Sequence, residues 1–428
     1  MTAPAPARDT SIDLLRAVCT IVVVALHATM AGVIVSGGEV ALVNALEQPW
    51  FWPTSWLVQI MPLFFIAGGV TGAVAFRRWR GAGGTAAGFA ANRIRRLLPP
   101  GIVAVAVTAL GLASLRALGV PSELVVEAGF RISQPLWFLG VFLLVQALLP
   151  ALLAAHERRP GLTVIALAAG VLAVDIIRLS TGIEAVGYAN LALVWLLIQQ
   201  LGFFLADGRF ARASARARVT VAGAALMTTG ILAAVGVFSP DMYVNLNPPT
   251  IALVLLGVAQ VSLFSLAQPA LRRIASRGTP AAVTEALGSR AMGIYLWHMP
   301  AIVLLAGGLV AFALVADVDL IPLYDPAWWA TRPAWFVAVG ALALVLCALA
   351  PRVRLGASGS VTLVRAALGS ALAVASIAVL FLLGLDVGSA VISVALGLGA
   401  LRILRAPARV RGKTPAQPVG HPDPALAA

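Results

Sequence analysis

Residues 12–35 read IDLLRAVCTIVVVALHATMAGVIV, and the reading of this stretch decides the fold class. It is long enough to cross a hydrocarbon core, which takes about 20 residues of helix. Its only charged or imidazole side chains are Asp13, Arg16 and His27. No small-residue cleavage site follows it, so it reads as a retained first span and not as a signal peptide. Apolar runs of similar length recur as far as residue 404. The whole chain of 428 residues is 61% hydrophobic and only 11% charged, with a mean hydropathy of +0.97. A soluble domain carries about 25% charged residues, so soluble enzymes and nucleic-acid-binding domains are excluded. The sequence predicts an all-α integral membrane protein.

Twelve transmembrane helices are expected near 12–35, 55–76, 97–115, 135–155, 161–178, 187–206, 219–238, 249–268, 292–316, 333–350, 361–383 and 387–404. This divides the chain into a cytoplasmic N-terminal tail, 1–11, and a ten-helix membrane domain, 12–350. Two additional helices, 351–404, and a basic cytoplasmic tail, 405–428, follow. With both termini cytoplasmic, the tails, the loops 77–96, 156–160, 207–218, 269–291 and 351–360 and the bordering Arg16, Arg365 and Arg402 hold 26 of the 30 Lys and Arg residues. Arg116, Arg131, Arg178 and Arg332 remain on the other side. Such a split is the positive-inside rule at work and accounts for the net charge of +13 without a nucleic-acid partner. The plasma membrane is the expected location, and the basic tail from Arg402 to Lys413 is expected to rest on anionic lipid headgroups. Cys19 and Cys347 lie in apolar runs as packing residues. The four histidines are scattered without metal-ligand spacing, so no metal is expected. Composition leaves the oligomeric state open.

On the first helix Asp13, Arg16, Thr20 and His27 share one stripe, because each residue advances about 100°. Arg16 and His27 are separated by a rise of about 16 Å. Ionisable residues inside a span usually face the bundle interior and mark a functional route. Five stretches in order carry a family pattern: Asp13-Leu14-Leu15-Arg16 through to His27, Met61 to Gly69, Arg93-Ile94-Arg95-Arg96-Leu97-Leu98-Pro99, Leu136-Trp137-Phe138-Leu139, and Ile294-Tyr295-Leu296-Trp297-His298. Together they resemble the acyltransferase-3 family of multi-pass membrane acyltransferases over the ten-helix core. The last two helices lie outside the resemblance. Many members have a histidine just before the Leu-Trp-Phe-Leu stretch, where this chain has Pro135.

The resemblance implies transfer of an acyl group, acetyl or another short chain, from cytoplasmic acyl-CoA to a hydroxyl of a carbohydrate or other cell-envelope acceptor. In that frame His27 is the candidate base or transient acyl carrier, since imidazole titrates near pH 6.5. Arg16 orients the thioester or stabilises its oxyanion. Arg77, Arg78, Arg93 and Arg96 are candidates for the phosphates of the coenzyme, which guanidinium forks suit. His298 is placed on the donor side, at the depth of Arg16 and away from His27. Asp13, as a partner of Arg16, Trp137 and Tyr295 are the candidate substrate contacts. The competing expectation is a twelve-helix secondary transporter with Arg16, Asp175 and His27 along its path. Against it stands the loop Arg77-Arg78-Trp79-Arg80-Gly81, which lacks the acidic residue of the major-facilitator loop motif.

Overall fold

The structure, a computed structural model, describes residues 9–351, 353, 355 and 361–405. Most of the N-terminal tail, most of the 351–360 connection and the basic tail with Arg409, Arg411 and Lys413 lie outside the described residues. The chain opens with α1 (Thr10–Met30), β1 (Ala31–Ser36), β2 (Glu39–Asn44), α2 (Trp52–Val58), α3 (Met61–Gly81) and α4 (Ala86–Ala117). It continues with α5 (Ser122–Ser133), α6 (Trp137–Arg158), α7 (Pro160–Thr181), α8 (Glu184–Gly187), α9 (Asn190–Ala206) and α10 (Arg209–Arg212). Then come α11 (Ala215–Ala234), α12 (Ile251–Ala275), α13 (Gly278–Ala316), α14 (Pro326–Leu349), α15 (Leu363–Leu383) and α16 (Val387–Ile403). Among the described residues, eleven helical segments are long and apolar enough to cross a membrane. The expected twelfth, α16, has 17 residues, or about 25 Å of helix, at the short limit for a span. The bundle thus has an arginine-rich face, where α1 starts, and a hairpin face, where β1 and β2 turn.

Three expected boundaries are corrected. The first span ends at Met30 and not at 35, because Val33-Ile34-Val35 is a β-branched run that prefers the strand. It pairs with β2 in antiparallel register, Ser36 opposite Glu39. Gly37 and Gly38 both take positive φ, 58° and 80°, as a two-residue type I′ turn requires. The third span starts at Ala86 and not at 97: α4 runs through Pro99 and Pro100, and only residues 82–85 separate it from α3. The ninth span starts at Gly278 and not at 292, so that α13 has 39 residues, about 58 Å.

The central helix is α6. Leu139 and Leu143 on one side belong to a core shared with α4, α13, α15 and α16. Phe138, Val141 and Val145 on the other side belong to a core shared with α1, α3, α9 and α12. The two C-terminal helices therefore pack into the bundle, covering α4 and α6. Arg95 of α4 donates to the Leu404 carbonyl, 3.2 Å, and Arg365 of α15 to the Ile403 carbonyl, 3.0 Å. The glycines of the Met61–Gly69 stretch serve packing: a Cβ on Gly69 would collide with the Gln199 carbonyl and one on Gly202 with the Ile66 carbonyl. Here α3 and α9 meet backbone to backbone, as small residues allow in membranes.

Candidate functional site

Both α1 and α13 run from the arginine-rich face toward the hairpin face, side by side. His27 lies four residues before Ala31, where α1 gives way to β1. His298 lies twenty residues into α13, because that helix starts four turns earlier than its apolar pattern indicates. The two rings consequently meet: His27 Nδ1 is 2.9 Å from His298 Nε2, and the rings stack with centroids 5.0 Å apart. This overturns the expected separation of His298 from His27 by depth. Measured along α1, the pair is about 16 Å from Arg16, roughly half a hydrocarbon core of about 30 Å.

The hydrogen bonds fix the tautomers. His298 Nδ1 is 2.6 Å from the Tyr295 carbonyl, and a carbonyl only accepts, so this nitrogen carries the proton. The neutral His298 ring then presents Nε2 as an acceptor. His27 Nδ1 must therefore donate to it, which leaves the lone pair of His27 on Nε2. That nitrogen has no hydrogen-bond partner among the described residues, and His27 is half-buried whereas His298 is 1% exposed. The arrangement is a base whose free nitrogen is set by a second ring held by backbone. A cavity of about 10 Å³ touches His298, Tyr295, Thr108 and Pro135, room for a single water.

The remaining expected residues are spread over several parts of the bundle. Arg93 stands 4.9 Å over the Phe89 ring and within electrostatic range of both Arg16 and Arg96, so α1 and α4 bring three of the predicted cations together. Arg77 is drawn elsewhere: it donates to Glu157 at 3.0 Å and to Asp207 at 2.8 Å. Arg80 also binds Glu157, 2.8 Å, while Arg78 lies exposed in the last turn of α3. Tyr295 donates its hydroxyl to the Pro135 carbonyl, 2.8 Å. One face of Trp137 is covered by Trp195, with centroids 5.6 Å apart. Asp13 occupies the first turn of α1, where the helix dipole favours an anion. Asp175, the acidic member of the transporter path, accepts from Asn190 at 2.9 Å and from the Ile251 amide at 2.9 Å, capping α12.

A second histidine cluster had no counterpart in the sequence reading. His156 Nε2 is 2.9 Å from Asp207 and its Nδ1 is 2.8 Å from Gln200. Burial pushes the Asp207 carboxyl up, but hydrogen bonds from His156 and Arg77 outweigh it and hold the group below its ordinary value. The cluster ties α3, α6 and α9 together at the arginine-rich face. Among the described residues, no three His, Cys, Asp or Glu side chains converge as a metal site.

A family model described as an acyltransferase domain, Acyl_transf_3, matches residues 9–352. No curated protein and no solved structure matches the chain. The chain belongs to the acyltransferase-3 family and is a multi-pass membrane acyltransferase.

Proposed function

We propose that this acyltransferase moves a short acyl group from a thioester donor, acyl-CoA, onto a hydroxyl of a carbohydrate or cell-envelope acceptor, at the plasma membrane. His27 Nε2 is the base. It takes the proton of the acceptor hydroxyl as the hydroxyl oxygen bonds to the acyl carbon. The carbon–sulfur bond then breaks, and the departing thiolate receives the proton. His298 is a positioning residue: it holds His27 in the tautomer with the lone pair on Nε2 and accepts a hydrogen bond from the imidazolium formed in the reaction.

The observation that carries this reading is the His27–His298 contact, with its single uncommitted nitrogen, in a chain of this family. The donor enters from the arginine-rich face, taken as cytoplasmic under the positive-inside rule. There Arg93, Arg96 and Arg16 offer guanidinium forks to phosphate. Arg77 has two carboxylate partners and is withdrawn from that role. Arg16, about 16 Å from His27 along α1, orients the donor, whose thioester arm extends from there toward His27.

The test uses membranes holding the full chain and acetyl-CoA labelled in the acetyl group, with label followed into glycan, glycolipid and small-molecule fractions. Label in one fraction that is lost in His27→Ala, with the variant inserted at normal level, is the expected result. Undiminished labelling in His27→Ala would remove the proposed base. Labelling from another thioester but not from acetyl-CoA would replace the donor.

A further inference from the structure

Between β1, α13 and α14 the hairpin face holds a cavity of about 570 Å³, within the size range of small-molecule sites. Its wall is apolar and includes Ala31, Val33, Leu305 and Trp335. Leu304 and Leu309, 51% and 38% exposed, stand at its open side. Most of α14 is uncovered by protein, and an uncovered apolar helix of this length faces lipid chains. The cavity therefore opens sideways into the bilayer.

One cation lines it. Arg332 lies two turns into α14, about 9 Å from its start, with its guanidinium 4.3 Å over the Trp328 ring and 5.4 Å from that of Trp335. Nε and Nη2 donate to the Thr331 hydroxyl at 3.3 and 3.0 Å, and Nε also reaches the Trp328 carbonyl at 3.3 Å. Nη1 has no hydrogen-bond partner, and no carboxylate pairs with Arg332, among the described residues. A guanidinium at this depth is costly unless an anion answers it. The aromatic rings hold the fork in place, and a fork in that state suits the two free oxygens of a phosphodiester. The apolar cavity beside it suits the chain that such a headgroup would carry.

We propose that this cavity binds an anionic phospholipid from the hairpin-side leaflet, its phosphate on Arg332 and one acyl chain among Leu304, Leu305, Leu309 and Trp335. The inner wall is tied to the catalytic helix, since Trp335 Nε1 donates to the Ala28 carbonyl at 2.9 Å, one residue from His27. Lipid binding here does not depend on which nitrogen performs the chemistry, so it can fail while the His27 assignment stands.

The full-length protein in detergent is offered equal amounts of phosphatidylglycerol and phosphatidylcholine with identical chains, and retained lipid is counted by native mass spectrometry. The wild type is expected to keep phosphatidylglycerol with at least a tenfold preference, and millimolar inorganic phosphate should leave it in place. Arg332→Gln is expected to bring the preference below threefold, Ala338→Trp to remove retained lipid by filling the cavity, and Arg131→Gln to change nothing. Equal retention of the two lipids by the wild type overturns the proposal whether or not any variant folds. Retention unchanged in Arg332→Gln, or displacement by inorganic phosphate, overturns it as well.

Discussion

Two polar clusters of this chain are built on histidine, and they differ in what is left over. His156 has both ring nitrogens engaged, one by Asp207 and one by Gln200, and an arginine and a second carboxylate complete a cluster joining three helices. His27 engages only Nδ1, its partner is a neutral ring, and Nε2 is uncommitted among the described residues. A histidine whose capacity is spent holds helices together. A histidine oriented by one nitrogen with the other free is equipped to move a proton. Burial differs between the two as well, His156 being 2% exposed and His27 half-buried.

The contrast is sharpened first at His298, whose replacement should have the largest of three effects. His298→Ala removes the acceptor for His27 Nδ1–H and releases the tautomer. General-base catalysis is worth about 10²–10⁴-fold, and the variant is expected to lose about 100-fold in kcat with KM little changed. His298→Asn, which restores an acceptor, should recover part of it. An equal fall in both variants, or a change in KM alone, would return His298 to packing. Next in size is Arg93→Gln, expected to raise the apparent KM for acyl-CoA by about tenfold with kcat nearly constant, as lost uniform binding does. An unaltered KM would leave the Arg16–Arg93–Arg96 group without a donor role.

The smallest effect is at the structural cluster. Asp207→Asn should lower Tm by a few degrees, since partly exposed ion pairs are worth about 1 kcal/mol or less, and leave turnover per folded molecule unchanged. The Asp207 carboxyl is held below its ordinary value, so its contribution is complete above the pH where an unfolded aspartate titrates. That contribution is lost as pH falls through the lower folded-state value. Melting the wild type and Asp207→Asn across that acidic range should show their difference shrinking. A constant difference would mean that charge plays no part in the cluster.

Much of the fold was legible because a bilayer demands apolar runs of fixed length, and Arg16 and His27 fell on one stripe of such a run. What failed had local causes. Val33-Ile34-Val35 counted as span by hydropathy, although Gly37-Gly38 between two β-branched runs carries the hairpin signal. The span expected from 97 has Pro99-Pro100 near its start, yet α4 passes through both, as tolerated where neighbouring helices surround the freed carbonyls. The start of α13 was hidden because its first turns are too polar to count as a span. The site's central contact joins residues 271 positions apart, and the carboxylates that claim Arg77 are 80 and 130 positions from it. Periodicity tells which face of a helix is buried. It does not tell which helix lies against that face.

The most direct test is acyl transfer per inserted molecule in His27→Gln and His156→Gln, measured side by side with the same donor and acceptor. The account predicts a loss of at least about 100-fold for His27→Gln and less than about threefold for His156→Gln, whose cost appears as a lower Tm. Equal losses in the two variants, or an active His27→Gln, would contradict it.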